Sequence, residues 1–335
     1  MAVTLPAAST SSIATPDFSK YNTRRLGTTR ERVRTLAWNQ DGRRLATGGT
    51  DKILRIYLPD KDPRTATECR GHTGEIQVVK WNAVHPERLA TCASGQDKAL
   101  NFWDIRRMVT LFSNRAESRI LTPDSGKTEG SKPTSSVETH GENITMTWSP
   151  NGKYIVLGNR SDRIMWIDAE EQKVIRKEDM TRETNEAAFS NNGSLLLTAI
   201  SGRLHMHTFP ANELLHAINV SPAPTMWIDF DPRGRYLVAA GNDTTITLWE
   251  TSEWTCVSSL GSHDDPIRAC RFSHDGAYIA STSGYEIVIS EVPTLKQVHT
   301  IPLPPTQLCD SLAWHPTKHV LAYGAGDAYI WGLGV

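Results

Sequence analysis

The sequence has few cysteines, no long apolar run and almost no net charge, and each of these deficits narrows the class of protein. Its five cysteines show neither a CxxC pair nor a zinc-ligand spacing, which favours a reducing compartment. No apolar stretch approaches the roughly 18 residues of a membrane helix, and no signal peptide is evident. A net charge of −1 gives no overall attraction to nucleic acid or membrane. We therefore expect no membrane contact.

Motifs that carry common enzyme chemistry are also absent. The chain has no glycine-rich phosphate loop, no HExxH or GxSxG motif and no kinase signature. His205 and His207 lie two residues apart, on one face of a predicted strand, but the sequence offers no third metal ligand for them. We therefore predict a non-enzymatic protein with no catalytic residues, no cofactor, no metal and no small-molecule substrate.

What the chain does contain is one phrase repeated seven times. An aromatic residue is followed by a turn, a stretch of small residues and an alternating apolar strand. The aromatic anchors are spaced by 43, 67, 41, 41, 42 and 42 residues and are Trp38, Trp81, Trp148, Phe189, Phe230, Phe272 and Trp314. A period of roughly 40–45 residues with GH and WD echoes is the signature of WD40 blades. The spacing predicts an all-β fold, a seven-bladed WD40 β-propeller.

The two ends of the chain are predicted to share one blade. The last repeat stops at its third strand, 329–333, whereas residues 21–26 precede the first full repeat. We expect this N-terminal segment to supply the missing fourth strand, because a closed ring leaves only short strand edges. Residues 1–19 are rich in Ala, Ser and Thr and are predicted to be a disordered tail. The propeller is then assigned to residues 20–335.

The one irregular spacing, 67 residues, indicates an insertion of roughly 25 residues at about 113–139. Its composition is polar, with Gly, Pro and Ser, which predicts a loop and not an additional blade. We place this loop between the last strand of blade two and the first strand of blade three. Loops at that point lie on the ring face that partners commonly use, so this face is the first candidate docking surface. An insertion without a role is the alternative.

Several polar residues are predicted to form hydrogen-bonded networks inside blades, because buried polar groups need partners. The residues assigned to these networks are Asp51 and Tyr57 in blade one, His72, Asp97 and Trp103 in blade two, and Asp243 and Trp249 in blade five. The fourth repeat places His207, and the sixth Ser290, where tryptophan would stand. Blades four and six should therefore be held mainly by packing against their neighbours.

Charge is distributed unevenly along the chain. Residues 20–80 carry fourteen Lys plus Arg against seven Asp plus Glu, whereas residues 116–335 carry 17 against 26. Consecutive blades are neighbours, so blades seven, one and two should form a basic side, the second candidate docking surface. Its candidate residues are Arg24, Arg25, Arg30, Arg32, Arg34, Arg43 and Arg44. They could attract phosphates or an acidic segment, or merely form local ion pairs. No aromatic residues interleave to stack bases, which argues against a single-strand RNA site.

Beyond the repeat, three long stretches resemble one WD40 family, the THO complex subunit three family. They are residues 70–81, 141–169 and 183–206, and the GENI start of blade three, in place of the usual GH, is the most specific piece. The resemblance covers roughly residues 24–333. The insertion at 113–139 is longer, and the turn at 324–327 shorter, than the family pattern.

The resemblance implies a nuclear, non-enzymatic subunit that couples transcription to mRNA packaging and export. It implies contact with the other THO subunits, especially the large helical scaffold subunit, and indirect contact with the mRNA export factors of the TREX assembly. Three alternatives stay open from the residues alone. The first is a substrate receptor of a ubiquitin ligase or a histone- or chromatin-binding adaptor, the second is a propeller enzyme, and the third is a direct RNA binder.

Overall fold

The structure of the protein is a computed structural model that describes residues 16–27, 31–62, 66–107, 131–180, 182–261, 263–304 and 307–335. Within these ranges the chain forms 28 β-strands and a short 3-10 helix, Phe18–Lys20, and residues 105–107 are α-helical. The strands are β1 (Asn22–Arg25), β2 (Val33–Trp38), β3 (Leu45–Gly49), β4 (Ile53–Tyr57), β5 (Thr67–Arg70), β6 (Ile76–Trp81), β7 (Arg88–Ala93), β8 (Ala99–Asp104), β9 (Ser135–Glu138), β10 (Asn143–Trp148), β11 (Tyr154–Asn159), β12 (Arg163–Asp168), β13 (Lys173–Asp179), β14 (Thr184–Phe189), β15 (Leu195–Ile200), β16 (Arg203–Thr208), β17 (Leu214–Asn219), β18 (Thr225–Phe230), β19 (Tyr236–Gly241), β20 (Ile246–Glu250), β21 (Thr255–Leu260), β22 (Ala269–Phe272), β23 (Tyr278–Thr282), β24 (Glu286–Glu291), β25 (Gln297–Pro302), β26 (Cys309–Trp314), β27 (Leu321–Ala325) and β28 (Asp327–Gly332).

These strands form seven four-stranded antiparallel sheets, which confirms the predicted seven-bladed propeller. Blades one to six are β2–β5, β6–β9, β10–β13, β14–β17, β18–β21 and β22–β25. Blade seven combines β26, β27 and β28 with β1, whose Asn22 lies opposite Gly332 and whose Arg25 lies opposite Tyr329. The N-terminal strand therefore closes the ring, as the repeat pattern predicted. It also covers the edge of β28, which would otherwise be free to pair with another chain.

Burial follows strand position within a blade. The second strand is enclosed on both faces, as in β3 and β27, where every residue is buried. The outermost strands alternate or are largely exposed, as in β13 and β17. Small residues in the second strand let neighbouring blades approach closely: a Cβ added to Gly48 would lie 2.5 Å from Cγ2 of Ile76 in the next blade. The stretch of small residues in each repeat thus reflects blade-to-blade packing.

The tryptophan anchors of the repeat connect consecutive blades by hydrogen bonds. Each anchor indole N–H donates to a backbone carbonyl on the first strand of the preceding blade. The four bonds are Trp38 to Ala313, 3.1 Å; Trp81 to Ala37, 2.9 Å; Trp148 to Lys80, 3.2 Å; and Trp314 to Arg271, 3.1 Å. Blades four, five and six have phenylalanine at this position and lack this donor. In four of the seven blades the anchor therefore joins its blade to the preceding one, which accounts for its recurrence at a regular spacing.

The two faces of the ring differ in the loops they carry. We call the face with the connections between blades and the turns between second and third strands the crossover face. The opposite face carries the turns between first and second strands and between third and fourth strands, and we call it the hairpin face. The Asn-Gly and Asp-Gly dipeptides at 41–42, 151–152, 192–193 and 275–276 lie in turns on the hairpin face, where Gly42 adopts a φ of 71° and Gly152 a φ of 69°. Tight hairpin turns need this positive φ, and glycine adopts it without a steric penalty.

The strands that flank the insertion correct its predicted position in the chain order: β8 ends, and β9 begins, at the hairpin face. Residues 108–130 lie outside the described residues, but β8 and β9 flank them, and β9 pairs with β8 as the fourth strand of blade two. The predicted loop over 113–139 is therefore wrong at its C-terminal end, because residues 135–138 form β9. Its predicted location between blades two and three, and so on the crossover face, is wrong as well. An outermost strand needs little apolar sequence, and in β9 only Val137 contributes a buried side chain, so its composition resembles that of a loop.

The predicted tail also ends earlier than expected. Residues 1–15 lie outside the described residues, but the side chain of Asp17 caps the 3-10 helix by accepting from the Ser19 N–H. Phe18 is buried against Tyr278 and Trp331, with ring centroids 5.0 and 5.4 Å away. The boundary at residue 19 is therefore wrong for residues 17–19, because one aromatic residue among polar ones is enough to anchor the segment.

The cysteines have the character that their scatter indicated. None of the five forms a disulfide, four of them are buried, and burial raises the pKa of Cys69 and of Cys309 to about 12. These thiols behave as small apolar side chains. No helix in the described residues is long and apolar enough to cross a membrane.

Candidate functional site

Blade two contains a continuous chain of buried hydrogen bonds. His72 Nδ1 lies 3.1 Å from Asp97 Oδ2, and His72 Nε2 lies 2.7 Å from Thr91 Oγ1. The Trp103 indole N–H donates to the same Thr91 hydroxyl at 2.8 Å. The three predicted network residues are thus brought together by a fourth, Thr91 on β7, which the sequence did not single out. Its only signal is a polar residue in an otherwise apolar, buried strand.

The carboxylate of Asp97 organises the connection between blades one and two. It accepts hydrogen bonds from the backbone N–H groups of Thr73 at 2.6 Å and Ala99 at 2.9 Å. Burial alone would raise the pKa of this carboxyl, but the hydrogen bonds from His72, Ala99 and Thr73 outweigh it and hold the pKa well below its ordinary value. The carboxylate stays ionised, and its hydrogen bonds to two backbone N–H groups fix the loop.

The predicted networks of blades one and five are not continuous. Asp51 accepts from the Ile53 N–H at 3.2 Å and pairs with Arg55, and among the described residues no hydrogen bond joins it to Tyr57. In blade five, Asp243 accepts from the Ser221 hydroxyl at 2.6 Å. The Trp249 indole donates separately, to the Thr247 hydroxyl at 2.9 Å. The aspartate and the aromatic residue of each blade are therefore not connected by hydrogen bonds to each other, as they are in blade two.

Blades four and six differ from each other. In blade four, neither ring nitrogen of His207 has a hydrogen-bond partner, and His207 stacks on His205 with centroids 6.4 Å apart. No third ligand joins this pair within the described residues. In blade six, His263 Nε2 lies 2.8 Å from Ser281 Oγ, which reproduces half of the blade-two network, while the buried Ser290 hydroxyl has no partner. In the sequence, His263 follows Gly261 by two residues, whereas His72 of blade two follows Gly71 directly.

Three arginines converge on one carboxylate at the crossover face. Arg32 contacts Asp310 through Nε and Nη2, both at 2.6 Å, and Arg34 Nη1 lies 3.5 Å from the same carboxylate. Arg268, from blade six, adds a contact at 3.4 Å. The Asp310 side chain is only 11% exposed. Arg34 also lies 3.8 Å from Glu75, so two carboxylates face three guanidiniums. We call Arg32, Arg34, Arg268 and Asp310 the arginine cluster.

The other candidate arginines lie elsewhere. Arg30 lies outside the described residues. The contacts of the remaining four are Arg24 with the carbonyl of Pro59, Arg25 with Asp327, Arg43 with Asp41 and Arg44 with Glu87. Arg43 and Arg44 belong to a turn on the hairpin face, opposite the arginine cluster. The predicted basic side is thus distributed over both faces and largely paired with acids.

The crossover face opens into a cavity beside the arginine cluster. This cavity has a volume of about 600 Å³, and its lining includes Arg268, Asp310, Trp227 and Tyr285. The Tyr285 side chain is exposed (56%). The Arg271 guanidinium lies over the Trp227 ring, 4.7 Å from its centroid. We call this cavity the mouth, because it continues into a channel cavity of about 390 Å³ between the first strands of the blades.

The channel holds four charged residues that sequence reasoning missed: Lys80, Glu186, Asp229 and Arg271. Burial lowers the pKa of Lys80 and raises that of Glu186 and of Asp229, although the nearby cations oppose the rise. Glu186 accepts a hydrogen bond from the Thr145 hydroxyl at 3.0 Å, and Asp229 accepts one from a backbone N–H at 3.0 Å. Arg34 also lines this cavity, so three cationic and two acidic side chains face the channel. The only sequence signal is a charged residue within an apolar first strand.

Comparison with known proteins agrees with this architecture. The family "WD domain, G-beta repeat" matches residues 21–57, 216–250 and 254–286. The chain is 30% identical to THO complex subunit 3 of Arabidopsis thaliana, over 92% of this chain and 91% of that protein. It is 27% identical to WD repeat-containing protein AAC3 of Dictyostelium discoideum, over 93% of this chain and 65% of that protein. It is 23% identical to the rat serine-threonine kinase receptor-associated protein, over 67% of this chain and 58% of that protein. The resemblance drawn from blades two to four is therefore confirmed, and the chain belongs to the THO complex subunit 3 family of WD40 proteins.

Proposed function

We propose that this protein is a non-catalytic interaction subunit of a THO-type complex in the nucleus, where it helps couple transcription to mRNA packaging and export. The observation that carries this proposal is the similarity to the plant THO complex subunit 3, which extends over 92% of the chain and so includes all seven blades. Its partners are then the other THO subunits, above all the large helical scaffold subunit. Export factors are reached indirectly, through those subunits.

The mechanism is docking onto a preformed surface. Neighbouring blades are already joined by indole hydrogen bonds and packed second strands, so a partner meets a rigid ring and little ordering remains to oppose binding. In this view the hydrogen-bonded residues of blades one, two and five serve stability and not catalysis. The charged residues of the channel keep it hydrated and perform no reaction.

The mouth is the docking surface that the geometry favours. Tryptophan, tyrosine and arginine dominate the energetic centres of protein interfaces, and the mouth presents Trp227, Tyr285 and Arg268 side by side. The arginine cluster adds three guanidiniums, which are matched by two carboxylates, Asp310 and Glu75. An acidic side chain from a helical partner could take bidentate hydrogen bonds there.

Affinity purification of the tagged protein from nuclear extract, followed by mass spectrometry, tests the proposal. We expect THO subunits to co-purify. Recovery of cullin-linked factors instead would support the ubiquitin-ligase receptor, and recovery of histones or chromatin factors would support the chromatin adaptor. Direct RNA binding is tested with the isolated protein: an affinity that falls steeply with salt would support it, and no binding would remove it.

Matched variants locate the interface. Tyr285→Ala and Arg268→Glu should each reduce recovery of the THO subunits at least about tenfold, the effect of losing one central interface residue. Arg43→Glu is the control, because its side chain is 80% exposed on the hairpin face. Equal recovery with all three variants would exclude the mouth as the docking surface. Loss of recovery with the Arg43 variant alone would move the interface to the hairpin face.

A further inference from the structure

The hairpin face carries a group of metal-ligand side chains at the contact between blades six and seven. His274 and Asp275 lie in the turn between β22 and β23, and His319 lies in the corresponding turn between β26 and β27. One ligand atom from each residue lies within 4.8 Å of the other two, and within the described ranges these three residues are the only such group. Two adjacent hairpins thus bring two imidazoles and one carboxylate together from residues that are 44 positions apart.

Two of the three ligand groups already touch, and the third has no partner. His319 Nε2 lies 2.9 Å from Asp275 Oδ2. The His274 and His319 rings lie 4.7 Å apart, centroid to centroid, at an angle of 60°. His274 Nδ1 is buried and has no hydrogen-bond partner. Buried polar atoms are normally paired, so this nitrogen calls for an explanation.

The surroundings hold the ligand groups in place. The second carboxylate oxygen of Asp275 accepts from the Ser273 hydroxyl at 2.7 Å and from the Ala277 N–H at 3.1 Å. Such supporting hydrogen bonds orient a ligand carboxylate. The Tyr278 ring packs edge-on against His319 at 5.6 Å. The carboxylate and the His319 imidazole therefore have defined orientations before any ion arrives.

Space for further ligands lies next to this group. A cavity of about 460 Å³ is lined by Asp275 and His319, together with Pro16, Asp231 and Glu291. A cation held by three protein ligands could keep one or more waters on this open side. This is the arrangement of sites that leave a coordination position open.

We propose that His274, Asp275 and His319 bind a divalent transition-metal ion, with water completing its coordination. Imidazole nitrogen and carboxylate oxygen suit Zn²⁺, and they also suit Cu²⁺ and Ni²⁺. Metal–ligand distances of about 2.0–2.2 Å require the three ligand atoms to move closer together, which the side-chain torsions of His274 can provide. The ion fastens blade six to blade seven, directly beside the Phe18 segment that leads into β1, and so strengthens the closure of the ring.

Metal titration of the full chain without a histidine tag tests the proposal. ZnCl₂ is titrated by calorimetry, and Co²⁺ is added as a spectroscopic probe, because its visible absorption reports coordination by protein ligands. We expect one ion per chain. His274→Gln and His319→Gln should each weaken binding at least about tenfold, since the loss of a ligand should cost no less than the loss of a supporting residue. His207→Gln is the control, because it removes a partly buried histidine that does not belong to this group of three residues.

His274→Gln is the decisive variant, because it removes no hydrogen bond of the described residues, whereas His319→Gln breaks the contact with Asp275. Circular dichroism without metal checks that each variant is folded. Zn²⁺ should raise the melting temperature of the wild type and of the His207 variant, but not that of the His274 variant. The proposal is overturned if the wild type binds no ion, or if the His274 variant binds Zn²⁺ as tightly as the wild type does.

Discussion

Phe18 offers the most direct test of how the ring closes. Its ring is buried, and it contacts Tyr21, Tyr278 and Trp331 with centroid distances of 5.3, 5.0 and 5.4 Å. These contacts join the segment before β1 to blades six and seven. Replacing a buried phenylalanine by alanine costs about 3–5 kcal/mol. Since Phe18 lies at the periphery, where solvent can fill the space, we expect Phe18→Ala to lower the free energy of unfolding by about 3 kcal/mol.

Urea unfolding of the full chain measures this effect. Phe18→Leu keeps an apolar side chain of similar volume and should cost less than about 1.5 kcal/mol, so it is the matched control. Removal of residues 1–15 should change stability little, whereas removal through residue 27 takes away β1 and leaves β28 as an open edge. If Phe18→Ala unfolds within about 0.5 kcal/mol of the wild type, a typical effect of a neutral surface change, the N-terminal segment does not secure the ring.

Three further predictions concern hydrogen bonds within and between blades. Thr91→Val should lower the free energy of unfolding by about 1–3 kcal/mol, because the Trp103 indole N–H loses its partner and His72 Nε2 keeps only the Asn101 amide at 3.2 Å. Thr198→Val, at a buried hydroxyl without a partner, should be neutral, and equal effects of the two variants in urea would contradict the network. The pKa of Asp97 is lowered in the folded state, so its stabilisation is present above the unfolded pKa near 4 and is lost as the pH falls below it. When unfolding is measured from about pH 6 to pH 3, the free energy of unfolding should therefore fall less steeply with decreasing pH for Asp97→Asn than for the wild type. An unchanged slope would refute the role assigned to Asp97. Trp81→Phe removes the indole bond to the neighbouring blade and should cost about 1–2 kcal/mol in the same assay; a cost near zero would show that the aromatic anchors act by packing alone.

The hydrogen-bond network of blade two shows which residues of a site the local sequence pattern can predict. His72, Asp97 and Trp103 could be predicted because they lie in one blade and recur at characteristic places in the repeat. Thr91 could not, since a threonine in a buried strand becomes informative only when both its neighbours are known to face it. In blade six, His263 and Ser281 form the same kind of contact, although Ser290 stands at the tryptophan position of the repeat.

The insertion and the N-terminal segment show where composition misleads. Residues of β9 are polar because an outermost strand is solvated on one side, so their composition predicts a loop. The predicted position of that loop consequently fell on the wrong face of the ring. Phe18 stands in a polar stretch and carries no periodic signal, yet a single buried ring is enough to order its segment.

The positions of the charged residues in space could not be predicted from the sequence. A run of arginines near the N-terminus predicted a basic side, but neighbours in sequence point to different faces of a blade. Arg32 and Arg34 meet Asp310, 278 and 276 residues away, because β2 follows β26 around the ring. That contact turns part of the predicted patch into a cluster with a shared carboxylate.

Repetition within the chain was sufficient to determine the number of sheets, their strand order and the role of the N-terminal strand as the closing piece. The reason is that blades one to six are each built from contacts between residues close in sequence, and that their exposed faces can be covered only by further copies. Blade seven is the exception, because β1 completes it from the other end of the chain. Which side chains meet across the blade boundaries was decided by the tertiary structure alone. Closure of the ring sets one blade against the next at a fixed distance and angle, and this geometry creates the mouth, the arginine cluster and the His274, Asp275 and His319 group from residues that no local pattern connects.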